Sequence, residues 1–295
     1  LAMLAPTGLI GWDYFRALAD QIEFSSKERV GVVYAREVTA LLPLLQQQRL
    51  HSLQEAASGT ASTALPAARQ AVAVQAARLA AVQKAHGDEL ATGPAYARFT
   101  ETSRSLPNSG AGVPTVLLGV ANDGSNLTLD PEIDTFYLMD VAVVRLPLMI
   151  ESLAQMRGLG AAVLQAGQMT PTQSRILIER MTELSAHGES VHSDIKKAEA
   201  FRPGLKAIVK PDEYKAALGE FLQRTETTVM RAEGLSGDAA QHVITANRAL
   251  EAMAQLSQRT TDALDELLAA RVARLEGQRN LNAGMLAAGL LLSLY

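Results

Sequence analysis

Apolar residues recur along most of the chain at intervals of three and four, the spacing that places them on one face of an α-helix. The clearest seam lies in the last fifth of the sequence and is formed by Leu250, Met253, Ser257, Thr260, Leu264 and Leu267. Only the segment 112–120 hints at the alternation of a β-strand, and it is too short to build a sheet. The pattern therefore predicts an all-α protein.

Start and stop signals divide the chain into about six helices, marked by proline or small polar residues at their beginnings and glycine at their ends. The predicted ranges are 13–57, 65–105, 130–166, 170–202, 211–234 and 236 to the terminal apolar segment. Pro43 and Pro147 predict kinks within two of them, and Gly93 with Pro94 predicts a break in the second. Residues 106–130, rich in Gly, Pro, Asn and Ser, are predicted to form a loop.

The lengths of these helices predict an elongated antiparallel helical bundle. At 1.5 Å per residue the first, second and sixth helices reach roughly 60 to 70 Å each. Such rods fit either an extended four-helix bundle or two stacked modules, and the sequence leaves both arrangements open.

Both ends of the sequence are free of charge. Residues 1–12 and 281–295 contain no charged side chain, and Trp12 lies directly before the first charged residue, where an aromatic belt at a membrane interface would lie. We interpret 1–12 as the tail of a first transmembrane helix and 281–295 as the start of a second. Residues 13–280 would then be a periplasmic domain of a protein in the bacterial inner membrane. The alternative is that both stretches are apolar helix ends within a bundle.

Composition excludes several kinds of chemistry. The chain contains no Cys, which excludes disulfides, cysteine-ligated metal and thiol catalysis. With 27 basic and 31 acidic residues there is no basic excess for phosphates, so we expect no nucleic-acid partner. His187 and His192 are five residues apart and do not share a helix face, so we expect no metal site. No nucleophile, base and acid stand out together, and we expect neither catalytic residues, cofactor nor enzymatic activity.

An internal repeat relates two arginines. Arg49 and Arg157 each precede a glycine by ten residues and each follow a Leu-Pro step. If both guanidinium groups point into the bundle at one height, their planar donors would bind a small anion or an organic acid. The alternative is that both pair with acids on the bundle surface.

A second set of candidate ligand-binding residues follows the predicted loop and the helix that it opens. This set offers several hydrogen-bonding groups within a short stretch and consists of Asp123, Ser125, Asn126, Tyr137 and Arg145. The alternative is structural: Asn126 and Asp130 would cap and fasten the loop, while Tyr137 and Asp140 would make contacts between helices.

Residues 27–49 and 125–164 resemble the all-helical extracytoplasmic sensor region of proteobacterial transmembrane receptors, most specifically in the stretches SNLTLDP and DTFYLMD. The receptors are of the methyl-accepting chemotaxis protein and sensor histidine kinase types, and related helical bimodular and nitrate-sensing domains bind small anions between arginines. Those relatives carry Gly directly after the first of the two arginines. This chain has Leu50 after Arg49, and it has a glycine only after Arg157, at Gly158.

The resemblance implies a ligand-sensing input domain of a bacterial transmembrane receptor, either a chemoreceptor or a sensor histidine kinase. We expect a homodimer that passes a ligand-induced helix displacement across the membrane to an output module beyond residue 295. The alternative is a structural or partner-binding helical scaffold of the cell envelope without a small-molecule ligand.

Overall fold

The computed structural model describes residues 4–104, 113–230, 235 and 237–294, and these residues are helical apart from short turns. The α-helices are α1 (Leu4–Ser58), α2 (Leu65–His86), α3 (Gly93–Arg104), α4 (Val113–Gly124), α5 (Ile133–Met139), α6 (Leu146–Ala166), α7 (Pro171–Phe201), α8 (Leu205–Val209), α9 (Pro211–Thr225) and α10 (Ala239–Leu294). A 3₁₀ turn at Leu127–Leu129 precedes α5, and π-helical turns at Glu226–Met230 extend α9. The all-α prediction is confirmed for this part of the chain.

The continuous helix formed by α5 and α6 contains π-helical turns just before a proline. Residues Asp140–Arg145 are π-helical and join the two helices without a break. Pro147 follows in the first turn of α6, and proline both lacks an N–H and crowds the carbonyl four residues earlier. Widening the preceding turn is one way in which a helix accommodates such a residue.

The two longest helices, α1 and α10, pack against each other along their length and run antiparallel. Arg36 Nη2 lies 2.8 Å from Asp262 Oδ1, and Arg29 Nε lies 2.9 Å from Asp265 Oδ1. With 55 and 56 residues, each helix is about 80 Å long. This pair forms the spine of the molecule.

The remaining helices pack around this spine. Helices α2 and α4 lie against α1, α6 and α9 lie against α10, and α7 packs on α5 and α6. Their inward faces form one continuous apolar core that includes Leu41, Leu117, Leu146, Leu184 and Met253. The functional residues described below lie where polar side chains interrupt this core.

One predicted loop is largely a helix. Residues 105–112 lie outside the described part of the chain, but α4 occupies Val113–Gly124 within the range predicted as irregular. Helix α4 packs against α1, and it contains three fully buried residues, Leu117, Leu118 and Ala121. Burial of this face outweighs the low helix propensity of the nearby glycines, since tertiary packing supplies most of the stability of a short helix.

The predicted flanking membrane spans are corrected by the structure. Within the described residues, no helix contains an apolar stretch long enough to cross a bilayer. Helices α1 and α10 each continue without interruption through the predicted boundaries at residues 12 and 280.

Candidate functional site

Arg157 projects from α6 into the space between α1 and α10, and it is only 2% exposed. Its Nη1 donates hydrogen bonds to Gln47 Oε1 at 3.2 Å and to Asn247 Oδ1 at 2.6 Å. Its Nη2 donates to the backbone carbonyl of Gln46 at 2.8 Å. The guanidinium therefore connects three helices through acceptors that are all uncharged.

The positive charge of Arg157 lacks a counter-ion. No carboxylate among the described residues forms an ion pair with it, and its buried Nε has no hydrogen-bond acceptor. Burial lowers its pKa to about 10, because an apolar environment disfavours the charged form. A buried charge that is neither paired nor fully hydrogen-bonded is costly, so this position is suited to an anion.

Arg49 lies on α1 within one turn of Gln46 and Gln47, at the same level as Arg157. Its Nη1 is 3.9 Å from Glu151 Oε1, and Glu151 also accepts hydrogen bonds from the Gln46 and Gln155 side chains. Among the described residues at this level, Glu151 is the carboxylate near Arg49, and the charge of Arg157 stays in excess. We call Arg49, Arg157, Gln46, Gln47, Glu151 and Asn247 the Arg157 site.

His242 lies beside the Arg157 site and is fully buried. Its Nε2 is 3.3 Å from the carbonyl of Met156, and its ring lies 5.3 Å from that of Phe221 between centroids. A Cβ added at Gly160 would approach the imidazole to 2.3 Å, so this glycine makes room for the ring. Burial lowers the pKa of His242, and the nearby charge of Arg224 acts in the same direction, which keeps the ring neutral.

A pocket of about 580 Å³ opens next to the Arg157 site, between α1, α6 and α10. Leu50 and Gly158, the residues that follow the two arginines, both line it. A Cβ at Gly158 would meet no atom within 4 Å, so packing does not require glycine there. No residue of the Arg157 site itself lines this pocket.

Three of the other predicted ligand residues have local structural partners. Ser125 is fully buried, and its hydroxyl donates to the carbonyl of Asn122 at 3.1 Å. Asn126 adopts a left-handed conformation with φ of 67°, where asparagine is tolerated better than most residues. Asp123 Oδ1 accepts a hydrogen bond from Thr128 Oγ1 at 3.2 Å. Of the two predicted caps, Asp130 Oδ1 accepts from the Glu132 N–H at 2.9 Å, whereas the Asn126 side chain makes no capping hydrogen bond. Ligand binding by Asp123, Ser125 and Asn126 stays a prediction.

Tyr137 and Arg145 lie between the loop and the Arg157 site. The Nζ atom of Lys197 is 4.6 Å from the centre of the Tyr137 ring, in a cation–π arrangement. Arg145 Nε donates to Asp140 Oδ2 at 2.8 Å, and it lies twelve residues, or about 18 Å, before Arg157 along the rod. The structure thus does not join the second predicted set to the Arg157 site.

A second buried arginine was missed by the sequence analysis. Arg271 of α10 is 4% exposed and contacts Glu28 Oε2 at 3.0 Å, Asp130 Oδ1 at 2.9 Å and Glu132 Oε2 at 3.2 Å. It also donates to Thr135 Oγ1 at 2.5 Å. We call these five residues the Arg271 cluster, which fastens α1, the loop before α5, and α5 itself to α10.

The Arg271 cluster has more acids than its central arginine can neutralise. Burial raises the pKa of Glu28 to about 8, and repulsion from Asp130 adds to this, whereas Arg271 acts against it. For Arg271, burial alone would lower the pKa, but the charges of Asp130, Glu132 and Glu28 outweigh burial and raise it. The cluster approaches neutrality when Glu28 carries a proton.

The fold is shared with a solved structure, that of the NasR transcription antiterminator. The two align with a TM-score of 0.61 over 94% of this chain and 77% of that chain, at 20% sequence identity. No protein-family model and no curated protein sequence matches the chain. At this level of identity, the likeness establishes a common fold.

This likeness and the lack of a membrane-spanning helix in the described residues correct the predicted identity and function. The predicted membership in the sensor regions of transmembrane receptors is wrong. The predicted function, an input domain of a chemoreceptor or of a sensor histidine kinase, is also wrong. The predicted membrane partner and inner-membrane location are wrong for the same reasons. The envelope-scaffold alternative receives no support from the comparison. Helical bundles serve many functions, so the shared pattern did not specify a membrane protein.

The predicted exclusion of a nucleic-acid partner is also wrong, since it conflicts with the likeness to a transcription antiterminator. The exclusion rested on the net charge of −4 for the whole chain. A net charge is an average and does not describe the local potential at a surface, which governs association with a charged partner.

Proposed function

We propose that the chain is an anion-responsive helical module of a regulatory protein, and that the anion binds at the Arg157 site. The observation that carries the proposal is the buried guanidinium of Arg157, whose hydrogen bonds all go to uncharged acceptors. An anion there would supply the missing counter-charge and an acceptor for the orphan Nε. The proposal assigns binding, and no catalysis, to these residues.

The size of the charge imbalance indicates a monovalent anion. Glu151 lies near Arg49, and no carboxylate in the described part of the chain pairs with Arg157, so one negative charge balances the Arg157 guanidinium. A planar anion with two or three oxygens, such as nitrate or formate, matches the donor fork of a guanidinium. A divalent anion would leave an excess of negative charge in a buried environment, which is costly.

The response would pass along the spine of the molecule. Arg157 already contacts α1 through Gln46 and Gln47 and contacts α10 through Asn247. Neutralising its charge stabilises the packing in which these three helices meet, and a ligand shifts an equilibrium towards the packing that it binds better. We assign control of transcription as the output, on the basis of the fold shared with the NasR transcription antiterminator.

Anion binding is tested by thermal unfolding of the chain in sodium nitrate, formate, acetate, sulfate and chloride at constant ionic strength. At a ligand concentration of one hundred times Kd the stabilisation is about 2.7 kcal/mol, which corresponds to an increase in Tm of about 4 °C for a chain of this length. We expect this increase with nitrate or formate and a negligible one with sulfate.

Arg157→Met is expected to abolish the increase. The matched control is Arg248→Met, which removes an arginine next to Asn247 on α10 that is 59% exposed and pairs with Glu220. The control should respond to anions as the unchanged protein does. An equal response in Arg157→Met would overturn the proposed site, and the absence of a response to every monovalent anion would overturn anion binding.

The regulatory output is tested separately, by transcription in vitro across a terminator. Adding the protein with the anion that stabilises it should change the fraction of full-length transcript, relative to the protein without that anion. If the anion binds and this fraction stays constant, the transcriptional output is wrong while the binding site stands.

A further inference from the structure

A polar pocket of about 420 Å³ lies between α1, α2 and α10, and it shares no residue with the Arg157 site. All three helices contribute amide or hydroxyl groups to its walls, among them those of Thr39, Gln75, Gln255, Gln258 and Thr261. Such groups both donate and accept hydrogen bonds, and in a pocket they fix the orientation of a ligand. The pocket therefore suits a small molecule that itself carries several donors and acceptors.

The pocket lies beside the proline within α1. Pro43 has no N–H, so it gives no hydrogen bond to the carbonyl of Thr39, four residues earlier in the helix. The π-helical turns that precede Pro147 have no counterpart here, because α1 stays α-helical. Both Thr39 and Pro43 line the pocket, and residues four apart share one face of a helix. The Thr39 carbonyl therefore lies on the pocket side of α1, where it can accept from a ligand N–H.

Two charged residues of the pocket have no ion-pair partner among the described residues, Arg78 of α2 and Glu251 of α10. Both side chains are exposed. The other two charged residues have partners within the chain. Arg36 Nη2 lies 2.8 Å from Asp262 Oδ1, and Glu37 Oε2 accepts a hydrogen bond from a glutamine of α2 at 2.7 Å. One cation and one anion are therefore available to a ligand.

This cation and this anion lie at opposite ends of the pocket. Arg78 lies on α2 within one turn of the glutamine that contacts Glu37. Arg36 and Asp262 pair at the same level of the spine. Glu251 precedes Asp262 by eleven residues of α10, which corresponds to about 16 Å along the helix. The pocket is thus elongated, with a positive end on α2 and a negative end on α10.

We propose that this pocket binds a short peptide with free termini, extended along the spine, with its carboxylate at Arg78 and its ammonium group at Glu251. Three or four extended residues span about 10 to 14 Å, and the two long side chains cover the remaining distance. The backbone N–H groups and carbonyls of the peptide meet the amide and hydroxyl groups of the walls. This inference does not depend on the anion site, because the two sites share no residue.

The distance between the two charges excludes a single α-amino acid. Its ammonium and carboxylate groups are attached to one carbon atom, so they cannot reach Arg78 and Glu251 together. An anion or a cation of the same length would pair with one of these residues and repel the other. A molecule with opposite charges at its two ends satisfies both.

The test compares alanine, trialanine and tetraalanine by isothermal titration calorimetry on the full chain. We expect trialanine or tetraalanine to bind at least tenfold more tightly than alanine. Acetylation of the peptide N-terminus or amidation of its C-terminus removes one charge, and each should weaken binding at least tenfold. The absence of binding by both peptides would overturn the proposal, as would equal binding of the acetylated or amidated forms.

Arg78→Met tests the positive end of the pocket. Arg78 is exposed, so its replacement should leave the fold intact. We expect this variant to bind trialanine at least tenfold more weakly than the unchanged protein does, and to bind amidated trialanine as the unchanged protein does. The matched control is Arg69→Met, which removes another exposed arginine of α2 that lies outside the pocket. The control should bind trialanine normally.

Glu251→Gln tests the negative end in the same way. It should weaken the binding of trialanine at least tenfold and leave the binding of acetylated trialanine unchanged. Glu266→Gln is the matched control, since Glu266 is an exposed glutamate of α10 outside the pocket. If either pocket variant binds trialanine as tightly as the unchanged protein, or if a control loses as much affinity as its pocket variant, the assigned site is wrong.

Discussion

Two arginines are buried to a similar degree in the same bundle, Arg157 at 2% and Arg271 at 4% exposure, yet their environments are opposite. Arg271 contacts three carboxylates, whereas Arg157 contacts two amide oxygens and a backbone carbonyl. The pKa is raised at Arg271 and lowered to about 10 at Arg157. Burial alone therefore does not show what a buried arginine is for.

The different charges around the two arginines indicate different roles: Arg271 holds helices together through ion pairs within the chain, and Arg157 is the proposed binding site for an anion. At the Arg271 cluster, acids from α1 and from the loop before α5 supply the counter-charge within the chain. At the Arg157 site, no carboxylate of the described residues pairs with Arg157, and the proposed anion would supply the counter-charge. The Arg271 cluster has more carboxyl groups than arginines, whereas among its described residues the Arg157 site has more arginines than carboxyl groups.

The largest effect is expected when each arginine is replaced by methionine, which keeps much of the side-chain length and removes the charge. Arg271→Met leaves the buried Asp130 carboxylate without its arginine partner, and breaking a buried pair in this way costs about 3 to 5 kcal/mol. Arg157→Met destabilises the fold by leaving three uncharged acceptors without a donor, and it stabilises the fold by removing a buried charge. Each contribution to the free energy of unfolding is about 1 to 3 kcal/mol, so the two largely cancel. Urea unfolding at pH 7 in chloride measures both.

The comparison depends on the difference between these two losses of stability. Similar losses would show that Arg157 is an internal fastening like Arg271, and the anion site would then lose its physical basis. Arg29→Met provides a reference for partly exposed arginines, because Arg29 is 42% exposed and pairs with Asp265. Its loss should cost at most about 1 kcal/mol.

An intermediate effect is expected from Glu28→Gln, and it depends on pH. The pKa of Glu28 rises from 4.5 to about 8 on folding, so between these values the folded state holds the proton more tightly than the unfolded chain. The stabilisation from this proton is complete below about pH 4.5 and is lost as the pH rises to about 8. Glutamine resembles the protonated acid at every pH and does not show this loss.

The groups that face Glu28 are Asp130, Glu132, Arg271 and Ser25, and all of them stay in this variant. Urea midpoints at pH 5, 6, 7, 8 and 9 should show Glu28→Gln close to the unchanged protein at pH 5. Its relative stability should increase up to pH 8 and then level off. If the difference in urea midpoint between Glu28→Gln and the unchanged protein is the same at every pH, Glu28 is ionised throughout this range and the cluster holds its full negative charge.

Sequence patterns predicted most of the helices because their signals are local. The cap at Thr170, where Gln173 N–H donates to the threonine hydroxyl at 3.2 Å, and the left-handed Gly167 both lie at predicted boundaries. Helix α4 escaped prediction because its stability comes from burial against α1, which no local signal contains.

For the sites, the internal repeat predicted Arg49 and Arg157 as ligand residues, and this stays a prediction. The structure places Arg157 against Gln46 and Gln47, within one turn of Arg49 on α1. The different partners of the two arginines, Glu151 for one and neutral acceptors for the other, depend on contacts between helices that are far apart in sequence. Arg271 could have been found, because it follows Leu267 by four residues and thus continues the apolar seam of α10. A charge at a seam position indicates a buried partner.

The smallest effect is expected from Asp123→Ala, which tests whether the polar residues around the loop belong to either region. Asp123 is exposed, and its carboxylate accepts a hydrogen bond from Thr128 Oγ1 at 3.2 Å. Its described contacts do not include either buried arginine. Its removal should change the free energy of unfolding by no more than about 0.5 kcal/mol, as is usual for an exposed substitution. The increase in Tm with nitrate or formate should persist unchanged. A variant that is equally stable but no longer responds to these anions would move the binding site from Arg157 to the loop, and the contrast between the two arginines would then concern stability alone.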